Sequence, residues 1–312
     1  MIFISTLVVE FLLVGLCVNK KLRLFVFFLF LIIYMSTVAG NIIIITVIHH
    51  SPKLCNPMYF FLMNLSFLEI CYTSVTIPRM MADIISEDKG ISIAGCITQC
   101  YFFFVLSAIE NYLLAIMAYD RYLAICNPLR YTTIMNSKLC YQLTIGSWSV
   151  GIFGSLSPIY FLSKLSFCGE NRINHFFCDI HPLLNHSCSN DTYLNDLLDF
   201  ICSSIVIVTS FTVTLISYLY IILTVLKIPT TKGRTKAFST CGSHLIVVLI
   251  YYGTVIFMYV RPKVGFTFSL NRVVAVFYTV ITPILNPIIY CLRNKDTCVI
   301  KCEKNTLHAV DD

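Results

Sequence analysis

Seven long apolar runs, at about residues 24–48, 58–83, 96–122, 139–162, 197–226, 237–260 and 270–292, leave this chain little choice of fold. Each has the roughly 20 residues an α-helix needs to cross a bilayer core. As a helix, the stretch from Cys96 to Arg121 would span roughly 37 Å, against about 30 Å of hydrocarbon. Composition agrees, with 57% hydrophobic and only 12% charged residues. That is about half the charge of a soluble domain. The expected fold class is an all-α membrane protein, a seven-transmembrane helix bundle over 24–292. An extracellular N-terminus (1–23) precedes it and a cytoplasmic tail (293–312) follows. The net charge of +6 suits loops lying against anionic lipid and gives no reason to invoke nucleic acid.

Seven crossings put the termini on opposite sides of the bilayer. Lys and Arg divide almost evenly between the two faces, because Lys20, Lys21 and Arg23 oppose the usual bias. The connections are more telling. Lys227–Lys236 is basic and lacks acids, whereas the long Lys164–Asp199 connection carries Cys168, Cys178 and Cys188 among several acids, which suits an oxidising outer face. The N-terminus is therefore placed outside. Met1–Cys17 is apolar, but Glu10 interrupts it and basic residues follow, so the first span is read as its own signal.

Polar residues at membrane depth carry the chemistry. Asn41, Glu69, Glu110 and Asn286 lie within the first, second, third and seventh spans. By helical rise, Glu69 is about 17 Å from the inner start of its helix and Glu110 about 16 Å from Arg121, so both carboxyls fall near the midplane. Ionised acids facing lipid are costly, so these must face the bundle interior or carry a proton. Hydrogen-bonded helix packing accounts for such residues as well as ion binding does. The sharper expectation is a hydrated cluster of Glu69, Glu110, Asn41 and Asn286 able to hold Na⁺ or a proton; no other cofactor is implied. At the inner end of the third span, Arg121 reaches the interface with Asp120 beside it as a counter-charge.

Cys96 and the three loop cysteines permit three pairings, and spacing does not choose among them. Sequons occur at Asn64, Asn185 and Asn190; Asn64 lies inside the second span, leaving Asn185 and Asn190 as glycan acceptors. No metal-ligand spacing, nucleophile elbow or phosphate loop supports an enzyme, and the adjacent His49 and His50 are poor joint ligands on one helix face.

Several motifs occur in order: Gly40-Asn41, Pro57-Met58-Tyr59-Phe60-Phe61-Leu62, Met117-Ala118-Tyr119-Asp120-Arg121-Tyr122-Leu123-Ala124-Ile125-Cys126, Ser217-Tyr218, Lys236-Ala237-Phe238-Ser239-Thr240-Cys241-Gly242-Ser243-His244-Leu245 and Pro283-Ile284-Leu285-Asn286-Pro287-Ile288-Ile289-Tyr290. Together they resemble the olfactory receptors of the rhodopsin-like G-protein-coupled family, over about Val9 to Asp296. The resemblance implies a plasma-membrane receptor for small volatile odorants, coupled to the olfactory-type stimulatory G protein and hence to cyclic AMP. It implies the pairs Cys96–Cys178 and Cys168–Cys188. It also implies a resting contact of Arg121 with Asp120 in the Asp120-Arg121-Tyr122 motif, exchanged on activation for Tyr218 and the G protein. Asn286, Pro287 and Tyr290 become the matching hinge. Glu69 departs from the family's commoner Asp.

With Arg121 at the inner end, an outer cavity is expected from Phe103, Phe104 and Ser107 on the third helix and from Cys202 and Val206 on the fifth. Tyr252, Val255, Ile256 and Tyr259 are added from the sixth, and Thr279 from the seventh. Such a lining suits a small hydrophobic ligand with one polar group. A transporter or channel would account for the intramembrane acids alone; the receptor also accounts for the Asp-Arg-Tyr end and the cysteine-rich loop.

Overall fold

The computed structural model describes residues 8–14, 20–54, 56–86, 90–188, 192–259 and 275–293. Its long helices are α1 (Arg23–His50), α2 (Pro57–Ile85), α3 (Ile93–Cys126), α4 (Ser137–Gly154 continued by Leu156–Ser163), α5 (Tyr193–Leu226), α6 (Thr231–Tyr259) and α7 (275–293). The chain is thus a seven-transmembrane helix bundle. Among the described residues, five helices, α1 to α5, are long and apolar enough by themselves to cross a membrane, and α6 holds a shorter apolar stretch, His244–Val255.

Local chemistry sets where the helices begin. The Asn56 side chain accepts from the Tyr59 amide ahead of Pro57, Ser92 accepts from Gly95, and Asn136 accepts from Leu139. Each satisfies an amide that a helix start would otherwise leave unpaired. The fourth span, expected as one run, breaks at Ser155. Pro158, just inside the second segment, has no amide to bond back across the break. In α7 the turn Phe277–Ile281 is π-helical and leads into Pro283 and Pro287, two more missing donors.

α3 is the axis of the bundle. Of its apolar stretch 61% is buried, against 22% for α1, and it packs on α2, α4, α5 and α6. Leu113, Leu114, Met117 and Ala118 are fully enclosed. The lipid side is equally clear: Leu24, Phe25, Phe28 and Ile32 of α1, with Ile205 and Val208 of α5, are exposed. Two glycines set close helix approaches. A Cβ at Gly151 would fall 2.5 Å from Ile109 Cγ1 and 2.8 Å from the Val105 carbonyl, which brings α4 against α3. A Cβ at Gly40 would meet Pro287 Cβ at 3.1 Å, where α1 meets α7.

The end of the bundle opposite Arg121 carries a small sheet that the apolar pattern did not announce. Its strands are β1 (Glu10–Leu13), β2 (Gly90–Ser92) and β3 (Arg172–Ile173), in the order β2-β1-β3. β1 runs antiparallel to β2 and parallel to β3. Within β1, Glu10 points out while Phe11 and Leu13 are buried, the period-two pattern of a strand. Phe11 packs edge-on against Phe167 at 5.2 Å.

Candidate functional site

The functional candidates lie at three depths along α3. At the disulfide end, a cavity of about 190 Å³ opens between α3, α4 and α5, with Val255 contributed by α6. Phe103, Phe104, Ser107, Cys202, Val206 and Val255, all named from sequence, line it. Tyr252 and Thr279 are not among the lining residues. Tyr252 is buried against Phe211 at 5.2 Å between ring centres, and Thr279 donates to the Ala275 carbonyl within α7. The side chains of Ile256 and Tyr259 lie outside the described residues. The wall that sequence missed comes from α4, through Val150, Gly154 and Pro158. An apolar run does not distinguish a face toward lipid from a face toward a cavity.

Polar groups punctuate this lining. Asn111 Nδ2 donates to the Tyr251 hydroxyl at 2.7 Å, and Ser210 Oγ donates to Asn111 Oδ1 at 3.3 Å, which ties α3, α5 and α6 together beside the cavity. Asp199, in the second turn of α5, lines it as well.

The long connection closes over this end of the bundle. Cys96 is bonded to Cys178, with Cα atoms 5.4 Å apart, and Cys168 to Cys188, at 5.0 Å. Gln99 of α3 completes the seat: its Oε1 accepts from the Cys178 amide at 3.1 Å and its Nε2 donates to the Val75 carbonyl at 2.9 Å. Phe177 packs at a tilt on Phe103, with ring centres 4.6 Å apart, and Phe103 in turn on Tyr72 at 5.4 Å. Asn185 ends the short helix Ile180–Leu184 with its side chain exposed, while Asn190 lies outside the described residues. Asn64 donates to the Phe60 carbonyl within α2.

Midway down the bundle, Asn41, Glu69, Glu110 and Asn286 are all buried. Asn286 Nδ2 donates to Glu69 Oε1, whereas Glu69 Oε2 and Asn286 Oδ1 have no hydrogen-bond partner among the described residues. Asn41 turns its amide back to the Thr37 carbonyl at 3.0 Å. Two carboxyls within electrostatic reach of one another cannot both stay ionised without a cation or other compensation nearby. The donor set, two carboxylates and amide oxygens, is the kind that hard cations accept.

At the other end, Arg121 Nη2 lies 2.6 Å from Asp120 Oδ2, and Asp120 is fully buried. Tyr131, in the helical turn Tyr131–Ile134 after α3, donates to Asp120 Oδ1 at 2.8 Å. Burial and the adjacent carboxylate raise the Tyr131 hydroxyl above its ordinary pKa, so it remains a donor. Tyr218 lies in the same region, but its partner is His244 of α6, with OH to Nδ1 at 2.7 Å and the two rings parallel. The Tyr122 ring packs at a tilt against Tyr220, with centres 5.6 Å apart. Pro287 is buried beside Gly40, and the Tyr290 side chain lies outside the described residues. Sequence reasoning assigned no role to Tyr131, His244, Asn111, Gln99 or Asp199, although the quoted motifs contain His244 and Tyr131 comes shortly after the motif that ends at Cys126.

The olfactory receptor family profile matches residues 30–305. The chain is 50% identical over 292 residues to olfactory receptor 6B1 of Homo sapiens, covering 94% of this chain and 93% of that protein. It is 48% identical over 307 residues to olfactory receptor 226 of Rattus norvegicus (97% and 93% covered). It is 47% identical over 291 residues to olfactory receptor 5G9 of Mus musculus (93% and 92% covered).

Proposed function

Since the chain belongs to the olfactory receptor family, we propose that it binds small volatile odorants in the cavity at the disulfide end and activates an olfactory-type stimulatory G protein. Cyclic AMP then rises. The observation that carries this reading is the cavity itself: small, largely apolar, and built on the same helix whose far end holds the Asp120–Arg121 pair. A ligand there acts by binding better to the form in which Arg121 is free, and so shifts the population toward it.

In this scheme the N-terminus and the disulfides face outward, which agrees with β1 being paired to the oxidised loop. Asn185 and Asn190 are the glycan acceptors. Glu69, Glu110, Asn41 and Asn286 hold Na⁺ or a proton in the resting form; the unpartnered oxygens of Glu69 and Asn286 support this. Asn286, Pro287 and Tyr290 form the hinge of α7, and Tyr218 leaves His244 to meet Arg121 and the G protein as α6 moves. Tyr252, Ile256, Tyr259 and Thr279 belong to the wider wall of the cavity as it adapts to ligand.

The test is odorant-evoked cyclic AMP in cells expressing the chain with its G protein. A saturable response to a subset of small apolar odorants is expected. Silence across a broad panel at confirmed surface expression, with ion flux appearing in liposomes instead, would overturn the reading in favour of a channel.

A further inference from the structure

Asp199 departs from the rest of the cavity lining. Its carboxylate is buried, at 3% exposure, and it lines the cavity together with Cys202 and Ser203. Oδ2 lies 3.7 Å from His181 Nε2, while Oδ1 has no hydrogen-bond partner among the described residues. Ser203, one turn along α5, hydrogen-bonds the same carboxylate.

The charge around it is one-sided. His181 also lies 3.8 Å from Asp196 Oδ1, so one imidazole is shared between two acids. Asp179 adds a third negative charge within reach. No Lys or Arg lines the cavity among the described residues. Even a protonated His181 can neutralise only one of these carboxylates. An unpaired buried carboxylate oxygen is expensive, and a donor that arrives with a ligand relieves that cost. A ligand carboxylate in its place would meet like charge at short range, which excludes acids as firmly as it favours donors.

On the reading that this cavity is the odorant site, we propose that Asp199 makes the protein selective for small apolar amines, with the cationic nitrogen on Asp199 Oδ1 and the hydrocarbon tail against Phe104, Val206 and Val255. Alcohols present a single neutral donor and rank below amines. Carboxylic acids are rejected.

The experiment compares hexylamine, hexanol and hexanoic acid, then phenethylamine and phenethyl alcohol, by cyclic AMP dose-response in cells expressing the full chain, normalised to surface expression. Amines are expected to act at the lowest concentrations and the acid to be silent. Asp199→Asn should raise the half-maximal amine concentration tenfold or more while moving the alcohol by less than about threefold, since the variant removes the charge that the amine alone pairs with. His181→Ala should act in the opposite sense, lowering the amine concentration by removing a competing partner of Asp199. That variant carries the test if Asp199→Asn fails to reach the surface. Hexanoic acid as potent as hexylamine, or amine potency unmoved in the surface-expressed variants, overturns the proposal. If other odorants evoke cyclic AMP and the amines do not, the amine assignment fails alone. If no odorant of any class does, the receptor reading fails with it.

Discussion

Tyr131 donates a 2.8 Å hydrogen bond to Asp120, the same carboxylate whose other oxygen lies 2.6 Å from Arg121. The helical turn after α3 therefore holds the acid that holds the arginine. A hydrogen bond to a charged group is worth about 1.5–3 kcal/mol. Tyr131→Phe is expected to raise ligand-independent cyclic AMP several-fold at equal surface expression, whereas an unchanged baseline would detach Tyr131 from the resting state.

Gly151 permits a close approach between α4 and α3, with Ile109 and the Val105 carbonyl lying where its Cβ would go. Overpacking of this kind costs about 1–3 kcal/mol. Gly151→Ala should lower the melting temperature of the purified protein by several degrees. Combining it with Ile109→Ala should restore only part of the loss, because the Val105 carbonyl cannot retreat. Full restoration would mean that the side chain alone sets the approach.

The Cys96–Cys178 bond closes a separation of 82 residues and seats the loop whose Phe177 packs on Phe103. Removing a native disulfide typically costs about 2–5 kcal/mol. Cys96→Ser and Cys178→Ser should each lose most surface expression, and the double variant should be no worse than either single one. A double variant clearly worse than both would show that the two cysteines act apart.

If the buried layer of Glu69, Glu110, Asn41 and Asn286 holds a cation in the resting form, as proposed, agonist potency should fall as Na⁺ rises. Glu110→Gln should flatten both the Na⁺ and the pH dependence of the response. Retention of both dependences would assign the layer to packing alone.

Much of this was legible beforehand because lipid imposes simple rules. Apolar length gave the spans, and the cost of a charge at depth placed Glu69 and Glu110 inside the bundle, where both are buried. The helices start one to three residues before the apolar runs do, because Asn56, Ser92 and Asn136 cap them there. Other features left no such mark. β1 is four residues long, and its alternation is lost within an apolar N-terminal stretch. The α4 wall was hidden because a span that is apolar on every face does not show which side meets protein. Asp199 read as the end of an acidic loop, but α5 begins at Tyr193 and carries it down to the cavity.

The claim that ligand acts in the cavity and the signal leaves at Arg121 is tested most directly by filling that cavity. The measurement is odorant-evoked cyclic AMP for Val206→Trp, whose indole would occupy space between α3 and α5, against the unmodified chain at matched surface expression. The account predicts that every agonist response disappears while ligand-independent signalling, and its rise on Tyr131→Phe, persists. Undiminished agonist potency with the cavity filled would contradict it.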